Sequence, residues 1–245
     1  MSVLSKLNDC VDKKGAGFIV LIDPDKKNDK NIDQLIEHAN DKGVDAIFVG
    51  GSIMMDSLYH KRIERIKHIS DIPVILFPGG VNQVNKHYDA MLFMSLMSGR
   101  NPHYLIGEQV IAAPIVNDFG LETIPTGYLL IDGGSPTTVE FISGTKPLPS
   151  NRPDIIISHA LAAQFMGMQL LYLEAGSGAM NTVPVDVISK VSNETSLSLV
   201  VGGGIRTPKD ALEIVNAGAS FVVIGSAIEK SLDLIKDFSS AIHFK

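Results

Sequence analysis

The sequence predicts a (β/α)8 TIM barrel, and three observations support this fold class. Eight short, almost continuously apolar runs recur along the 245 residues, as is typical of strands buried on both faces of a parallel sheet. Helical patterns separate most of these runs, and such alternation builds βαβ units. Several runs end in glycine-rich turns, which a barrel would place at the rim where active sites form. We therefore expect one barrel domain spanning residues 1–245.

The expected strands differ clearly from the helical patterns between them. Their limits are 17–23, 44–50, 72–77, 90–95, 127–132, 169–174, 197–202 and 220–225. The segment "NIDQLIEHANDKG" places its apolar residues on one helical face and ends at Gly43. In "RTPKDALEIVNAG", Thr207 is expected to cap the helix and Pro208 to occupy its first turn.

Two connections depart from regular alternation. Residues 78–89, "PGGVNQVNKHYD", leave little room for a crossover helix between the third and fourth strands. The third barrel helix should therefore be shortened or replaced by irregular chain. After the fifth strand, "GGSPTTVEFISGTKPLPSNRP" delays the next helix, and its Gly, Pro, Ser and Thr content is typical of active-site loops.

Composition and charge exclude several classes of protein. The formal net charge of -6 and the pI near 5.6 argue against a nucleic-acid binder, which usually carries a basic surface. The histidines lack metal-ligand spacing, and the single cysteine, Cys10, cannot form an internal disulfide. No apolar run approaches the roughly 18 residues of a membrane span, and charged residues interrupt the amino-terminal segment where a signal peptide would be apolar. We expect a cytoplasmic protein.

Three turns at the barrel rim predict a phosphate site. The segments "EAGSGA", "VGGGIRTP" and "IGSAIEK" follow the sixth, seventh and eighth strands, and barrels commonly bind phosphate after strands seven and eight. Glycine lets the backbone approach a ligand closely, so that successive N–H groups can converge on an anion. Arg206 could assist, or it could be solvated at the start of its helix. The expected backbone donors belong to Gly176, Ser177, Gly178, Gly203, Gly204, Gly225 and Ser226.

Two strands end in carboxylates at the same rim. Glu174 closes the sixth strand, where it would bind a ligand hydroxyl or cap amides of its own turn. Tyr172 should point to the same side, although core packing explains this residue equally well. Asp23 would serve as a general acid or base or as a Mg2+ ligand, and Ser52 offers a second oxygen unless it caps the next helix. For Asp25, a turn-stabilising role is preferred.

Seven segments between about residue 17 and residue 235 occur in an order that points to one family. They are "LIDPDK", "FVGGS", "ILFPGGVNQV", "FMSLMSGRNPHYLIGEQV", "YLEAGSGA", "GGGIRTP" and "IGSAIEK". Together they resemble the geranylgeranylglyceryl phosphate synthase family of prenyltransferases. The "NP" of "SGRNPHYLIG" and the "YLEAGSG" segment are the specific parts of this resemblance. The family is also similar to a standard barrel that has lost its third helix.

The resemblance implies an activity and a role for each site residue. The family joins an allylic polyprenyl diphosphate, here geranylgeranyl diphosphate, to the 3-hydroxyl of sn-glycerol 1-phosphate and releases diphosphate. Asp23 and Ser52 would bind Mg2+ on the diphosphate, while Glu174, with Tyr172, would act on the attacking hydroxyl. A homo-oligomer, either a dimer or a hexamer, is implied, and transient contact with a membrane surface is compatible with this activity. Glycerol phosphate would contact Tyr172, Glu174, Ala175, Gly176, Ser177, Gly178, Gly203, Gly204, Gly225 and Ser226.

A prenyl tail requires an apolar groove, which we expect around the fourth strand. Ordinary barrel core would explain most apolar residues there, so the expectation concerns the region rather than individual side chains. The candidates are Met91, Phe93, Met94, Leu96, Met97, Tyr104 and Leu105.

Two alternative functions stay open at this point. Sugar-phosphate isomerases and cyclases of the histidine-pathway type use one Asp after strand one and another after strand five, and Asp23 and Asp132 occupy those places. The proline of "LIDPDK", the missing third helix and the "YLEAGSG" segment count against this alternative. A non-catalytic phosphate-binding barrel is the second alternative. It is disfavoured because a carboxylate beside a phosphate cradle is costly without a chemical role.

Overall fold

The computed structural model describes residues 1–244 and contains a closed barrel of eight parallel strands. Neighbouring strands pair in chain order, and the last strand pairs with the first to close the barrel. The bounds are β1 (Gly17–Ile22), β2 (Ala46–Val49), β3 (Val74–Leu76), β4 (Ala90–Leu96), β5 (Glu122–Leu130), β6 (Leu170–Glu174), β7 (Ser198–Gly202) and β8 (Phe221–Ile224).

Helices surround the barrel, with one gap. A single 3-10 turn, Val81–Gln83, stands between β3 and β4 in place of a helix. The expected (β/α)8 barrel with an irregular third crossover is therefore confirmed. Within residues 1–244, no helix combines the length and apolarity needed to cross a bilayer. The helices are α1 (Val3–Lys14), α2 (Ile32–Asp41), α3 (Tyr59–Ile69), α4 (Glu108–Phe119), α5 (Thr138–Ser143), α6 (Pro153–Phe165), α7 (Val185–Glu194), α8 (Pro208–Asn216), α9 (Ser226–Lys230) and α10 (Leu234–Ile242).

The fifth strand begins earlier than the apolar pattern indicates. It starts at Glu122 rather than at residue 127, because the segment "ETIPT" pairs with β4 despite its polar residues and its proline. Pro125 lacks an N–H donor, but its carbonyl oxygen accepts a hydrogen bond from Gln169 N at 2.8 Å. The polar residues of this segment therefore do not indicate a strand, although its pairing with β4 maintains one.

The amino end of the barrel is covered by α1. Val3 and Leu7 of this helix pack into the same apolar cluster as the interior barrel residues Phe48 and Phe221. The Glu122 carboxylate, at the start of β5, accepts hydrogen bonds from Val3 N at 2.6 Å and from Leu4 N. A carboxylate at a helix amino terminus satisfies free N–H groups and complements the helix dipole. The carboxyl ends of the strands remain available for a ligand.

Candidate active site

A cavity of about 790 Å³ lies at the carboxyl ends of the strands. This volume falls in the range that small-molecule sites usually have. Its wall includes the turns after β1, β2, β6, β7 and β8. The cavity also extends past Met91 of β4 to Val84, after the 3-10 turn, and to Ala112 of α4. The cavity therefore connects the glycine turns to the gap where the third helix is missing.

Glu174 faces the barrel interior at the end of β6. Its side chain is buried, and Oε1 accepts a hydrogen bond from Gly176 N at 2.6 Å. Burial raises the pKa of this carboxyl to about 7, while the Gly176 N–H and the nearby Tyr172 hydroxyl act in the opposite direction. A carboxyl with such a pKa can accept a proton near neutral pH.

Three aromatic rings form the floor beneath Glu174. The rings of Phe77 and Tyr172 stack with centroids 5.1 Å apart, and Tyr128 lies 5.5 Å from Tyr172. Although the Tyr172 hydroxyl lies close enough to Glu174 to affect its pKa, it makes no hydrogen bond of good geometry within residues 1–244. A fully buried hydroxyl without a partner is costly, so it marks a place where a polar ligand would be stabilised.

Glycine at position 202 makes room for both polar side chains. Gly202 pairs with Glu174 across β6 and β7. A Cβ atom at this position would collide with the Tyr172 hydroxyl and lie 3.0 Å from Glu174 Oε2. The strand therefore ends on glycine because a larger residue would displace the carboxylate.

The glycine turns present several free backbone donors to the cavity. In the described chain, the N–H groups of Ser177, Gly178, Gly203, Gly204 and Ser226 donate to no other backbone or side-chain atom. These residues and Gly225 line the cavity, as expected for an anion site. Their roles in binding phosphate stay predictions.

Two of the residues expected to contact glycerol phosphate differ from this pattern. The N–H of Gly176 is already engaged by Glu174, so it holds the carboxylate rather than a ligand. Ala175 is fully buried in the outer core and is not part of the cavity wall. Because Tyr172 and Glu174 point inward, the alternation of side chains along the chain directs Ala175 outward. Its N–H donates to the Gly202 carbonyl at 3.0 Å.

Replacing Gly203 with alanine is expected to damage both stability and activity. Gly203 has φ of +85°, and a Cβ atom there would collide with Glu174 Oε1 and lie 2.6 Å from Gly176 N. We expect a loss of about 2–4 kcal/mol in the free energy of unfolding, measured in urea, together with a higher KM for the phosphate substrate.

Gly120→Ala provides the matched control for this change. Gly120 has φ of +62°, but a Cβ atom there has no neighbour within 4 Å. Gly120→Ala should lower the free energy of unfolding by only about 1 kcal/mol, the cost of placing a side chain at positive φ, and should leave KM unchanged. Equal effects of the two substitutions on KM would contradict the proposed crowding around Glu174.

Asp23 lies in a group of charged side chains above β1. The pKa of Asp23 is raised to about 6, first by burial and then by the negative charges of Asp25 and Glu229, while Lys27 lowers it. No hydrogen bond from the described residues reaches its carboxylate. A partly buried carboxylate with too little positive charge around it has the chemistry of a divalent-cation ligand.

The turn after β1 is held by its neighbours. Asp25 Oδ1 accepts from Lys27 N at 2.9 Å, so the expected turn-stabilising role of Asp25 is confirmed. Asn28 Nδ2 donates to the Asp23 carbonyl at 2.8 Å and to Glu229 at 2.9 Å. This network joins the turns after β1 and β8.

Ser52 lies on the cavity wall beside the Asp23 turn. The preceding glycine, Gly51, is so close to Asp23 that a Cβ atom there would lie 2.9 Å from Oδ1. The alternative that Ser52 caps the next helix is wrong, because α3 begins only at Tyr59. A Mg2+ role for Asp23 and Ser52 stays a prediction.

Two buried polar residues that the motifs did not single out position these turns. The Arg62 guanidinium donates to the Pro24 carbonyl at 3.3 Å and to Asp56 at 2.8 Å. Gln83 Nε2 donates to the Gly51 carbonyl at 2.6 Å, while its Oε1 accepts from Gly79 N at 2.9 Å. These roles leave little trace in the sequence, because Pro24 and Gly51 belong to turns that are distant along the chain from Arg62 and Gln83.

Arg206 lies on the cavity wall, whereas Asp132 lies outside it, and these positions bear on two open alternatives. The Arg206 guanidinium donates to the Met180 carbonyl at 2.9 Å and to the Ala179 carbonyl at 2.6 Å, so it braces the turn after β6. Asp132 is exposed, accepts a hydrogen bond from Gly134 N at 2.8 Å and is not on the cavity wall. The isomerase alternative therefore lacks its second acid.

The apolar region expected for a prenyl tail is part of the same cavity. Its wall includes Met91, Phe93, Met94, Leu96 and Tyr104, whereas Met97 and Leu105 are not part of it. The Glu108 carboxylate accepts a hydrogen bond from Val81 N at 2.6 Å, which ties the 3-10 turn to α4 and keeps the groove between them.

Several wall residues are not among the site residues that the motifs predict. Tyr128 and Phe77 belong to the expected fifth and third strands, but apolar runs do not distinguish ligand-facing rings from core rings. Lys27 and Glu229 lie within "LIDPDKK" and "IGSAIEK", so their charges were the available signal for the Asp23 group.

Comparison with known proteins assigns the chain to a family. The PcrB family matches residues 8–242, which is nearly the whole chain. This chain belongs to the PcrB family. Relatives of this PcrB-family chain include a geranylgeranylglyceryl phosphate synthase from Chitinophaga pinensis, 45% identical over 96% of this chain and 95% of the relative. A protein of the same name from Methanosphaera stadtmanae is 42% identical over 99% of this chain and 100% of the relative.

Solved structures give the same result. (S)-3-O-geranylgeranylglyceryl phosphate synthase from Thermoplasma acidophilum, crystallised with its substrate sn-glycerol-1-phosphate, is 35% identical to this PcrB-family chain. The TM-score is 0.91, and the match covers 99% of each chain. A thiamine phosphate pyrophosphorylase from Pyrococcus furiosus, 12% identical with a TM-score of 0.61 over 94% of this chain and 96% of that one, shares the fold alone.

Proposed function

We propose that the chain is a prenyltransferase that joins an allylic polyprenyl diphosphate to the 3-hydroxyl of sn-glycerol 1-phosphate and releases diphosphate. The observation that carries this proposal is the position of Glu174. Its buried carboxylate lies between free N–H groups suited to a phosphate and an apolar groove suited to a hydrocarbon chain. The glycerol phosphate bound to the related Thermoplasma enzyme supports the same substrate here.

Glycerol phosphate would bind with its phosphate on the glycine turns. The free N–H groups of Gly203, Gly204 and Ser226 would donate to the phosphate oxygens. The Tyr172 hydroxyl, which makes no hydrogen bond of good geometry among the described residues, would donate to the glycerol part of the substrate. This arrangement would bring the 3-hydroxyl to Glu174, so that the carboxylate accepts its proton as the new C–O bond forms.

The prenyl diphosphate would span the cavity from Asp23 to the gap near α4. Its tail would lie along Phe93 and Met91 towards Ala112, and its diphosphate would lie near Asp23 and Ser52. Because the groove extends beyond the barrel interior, a long chain such as geranylgeranyl fits this arrangement better than a short allylic group.

The residues around Asp23 fit a magnesium ion. Asp23 has a raised pKa, no donor in the described part of the chain bonds its carboxylate, and Ser52 supplies a second oxygen on the cavity wall. A bound Mg2+ would neutralise charge that develops on the departing diphosphate. Lys27, which faces the same carboxylates, would add positive charge to this end of the cavity.

A direct assay tests the proposed function. The purified protein is incubated with Mg2+, sn-glycerol 1-phosphate and prenyl diphosphates of increasing length, and released diphosphate and product mass are measured. We expect an ether product whose mass equals the two substrates less diphosphate. Binding of glycerol phosphate without release of diphosphate would instead support the non-catalytic alternative.

The reaction should depend on pH through Glu174. Burial raises the pKa of this group to about 7, and only its ionised form can accept the hydroxyl proton. At saturating Mg2+, kcat/KM should therefore rise about tenfold per pH unit below this pKa and level off above it. The Glu174→Gln variant, measured over the same pH range, provides the control. In this variant the substrate and Asp23 still titrate, and only the Glu174 carboxyl is missing. Identical profiles for the two proteins would contradict the assignment of Glu174 as base.

We also propose that the protein forms a dimer or a hexamer in the cytoplasm. Outside the cavity, α4 and the turn before it present apolar side chains to solvent, and such a patch commonly marks an interface. Transient contact with a membrane surface is compatible with the same patch. Sedimentation should give a mass of at least two chains, and Val110→Asp should lower it; a monomer at micromolar concentration would contradict the proposal. The exposed residues are Ile106, Val110, Ile111, Ile115 and Phe119.

A further inference from the structure

We infer that Cys10, Asp45 and His243 form a binding site for a zinc ion at the amino end of the barrel. Asp45 directly precedes β2, Cys10 belongs to α1, and His243 follows α10. The site therefore lies at the opposite end of the barrel from the active-site cavity. It is independent of the proposed function, which uses none of these residues.

The three side chains already converge on one point. Their ligand atoms, the Cys10 sulfur, an Asp45 oxygen and a His243 nitrogen, all lie within 4.8 Å of one another. His243 Nε2 is 2.8 Å from Asp45 Oδ2. In tetrahedral zinc with bonds of about 2.0–2.3 Å, neighbouring ligand atoms are separated by roughly 3.4–3.6 Å. Small side-chain rotations would therefore open the cluster enough to admit the ion.

Surrounding hydrogen bonds orient the ligands in the way that metal sites require. His243 Nδ1 is 3.3 Å from the Ser239 hydroxyl, which leaves Nε2 directed at the cluster. Asp45 Oδ2 accepts from Phe18 N at 2.8 Å, while Oδ1 is bound by Lys14 at 2.5 Å. Metal-ligating histidines and carboxylates are commonly fixed by such second partners.

The ligand types select zinc over magnesium. A thiolate and an imidazole suit zinc, whereas magnesium prefers oxygen ligands. Binding would form an S–Zn bond and release the Cys10 thiol proton to solvent. Cys10 and His243 are only partly buried, so a water molecule can supply the fourth ligand.

A zinc ion here would join three distant parts of the chain. It would connect the helix that covers the barrel, the start of β2 and the segment after the last helix. Since an ion that binds only the folded protein stabilises it, zinc should raise Tm by roughly 5–10 °C at a hundredfold excess over Kd.

The test uses the full chain, stripped of metal and kept reduced. Zn2+ titration should give one bound equivalent per chain, and Co2+ should produce a thiolate-to-metal absorption band. Cys10 is the only cysteine in the sequence, so this band would identify it as the ligand. Both titrations are done in excess Mg2+ to occupy oxygen sites, including the one proposed at Asp23.

Two ligand variants and one control separate a metal site from a structural contact. Cys10→Ser and His243→Gln should each weaken zinc binding at least about tenfold, whereas His87→Ala, which alters a histidine outside the cluster, should not. Circular dichroism checks that each variant is folded. Absence of a thiolate band, or zinc binding by folded Cys10→Ser as tight as that of the unaltered chain, would overturn the inference.

Discussion

Replacing Glu174 with glutamine is expected to lower kcat for prenyl transfer by about 10²–10⁴-fold, the usual contribution of a general base. Glutamine has nearly the same shape, and its carbonyl oxygen can still accept the hydrogen bond from Gly176 N that Glu174 Oε1 accepts at 2.6 Å. The amide cannot accept the proton of the glycerol hydroxyl. The loss should therefore appear in kcat, measured by diphosphate release, and the free energy of unfolding should be maintained or increased because a buried charge is removed.

Asp132→Asn is the matched control for this experiment. It makes the same chemical change two residues after the end of the neighbouring β5, but Asp132 is exposed and outside the cavity wall. Asparagine can also keep the hydrogen bond from Gly134 N. Activity of this variant should remain within about twofold of the unaltered chain. A large loss in Asp132→Asn with little loss in Glu174→Gln would instead contradict the assignment of Glu174 as the base.

Replacing Asp23 with asparagine is expected to raise the Mg2+ concentration for half-maximal activity at least tenfold and to lower kcat by about 10²-fold. The carboxylate would supply the principal negative charge for the ion, and an amide oxygen is a weaker ligand. The KM for glycerol phosphate should change less, because most of the expected phosphate donors lie in the turns after β6 and β7, and neither strand pairs with β1. Activity titrated with Mg2+ at saturating substrates gives both quantities.

Asp25→Asn serves as the control for Asp23→Asn. Asp25 stabilises its turn through hydrogen bonds that the carbonyl oxygen of asparagine can also accept, so the turn should persist. The variant still removes one negative charge near Asp23, and we expect a smaller change in Mg2+ dependence, about threefold or less. Equal shifts in the two variants would mean that overall charge, and not direct coordination by Asp23, determines the Mg2+ requirement.

The strands and the missing helix could be predicted from the sequence because they depend on local properties. Apolar runs reveal strands buried on both faces, and residues 78–89 are too few for a regular crossover helix. Glu174 and Asp23 could be predicted to lie at one rim, since parallel strands end at the same edge of a barrel.

Details that depend on distant contacts could not be predicted in this way. The engagement of Gly176 N by Glu174 requires the actual turn geometry, and the capping alternative for Ser52 failed because α3 starts several residues later than its motif indicates. The Cys10, Asp45 and His243 cluster is the extreme case. Asp45 and His243 are 198 positions apart in sequence, so spacing rules for metal ligands do not detect them.

The gap between β3 and β4 allows the length of the cavity to differ from the width of the barrel mouth. In a barrel surrounded by regular helices on every side, the ligand binds at the carboxyl-end rim. Here the cavity also extends past the short turn, which Glu108 fixes to α4, as far as Ala112. Substrate length could therefore change through substitutions at residues such as Ala112, while the strands and the catalytic rim stay as they are.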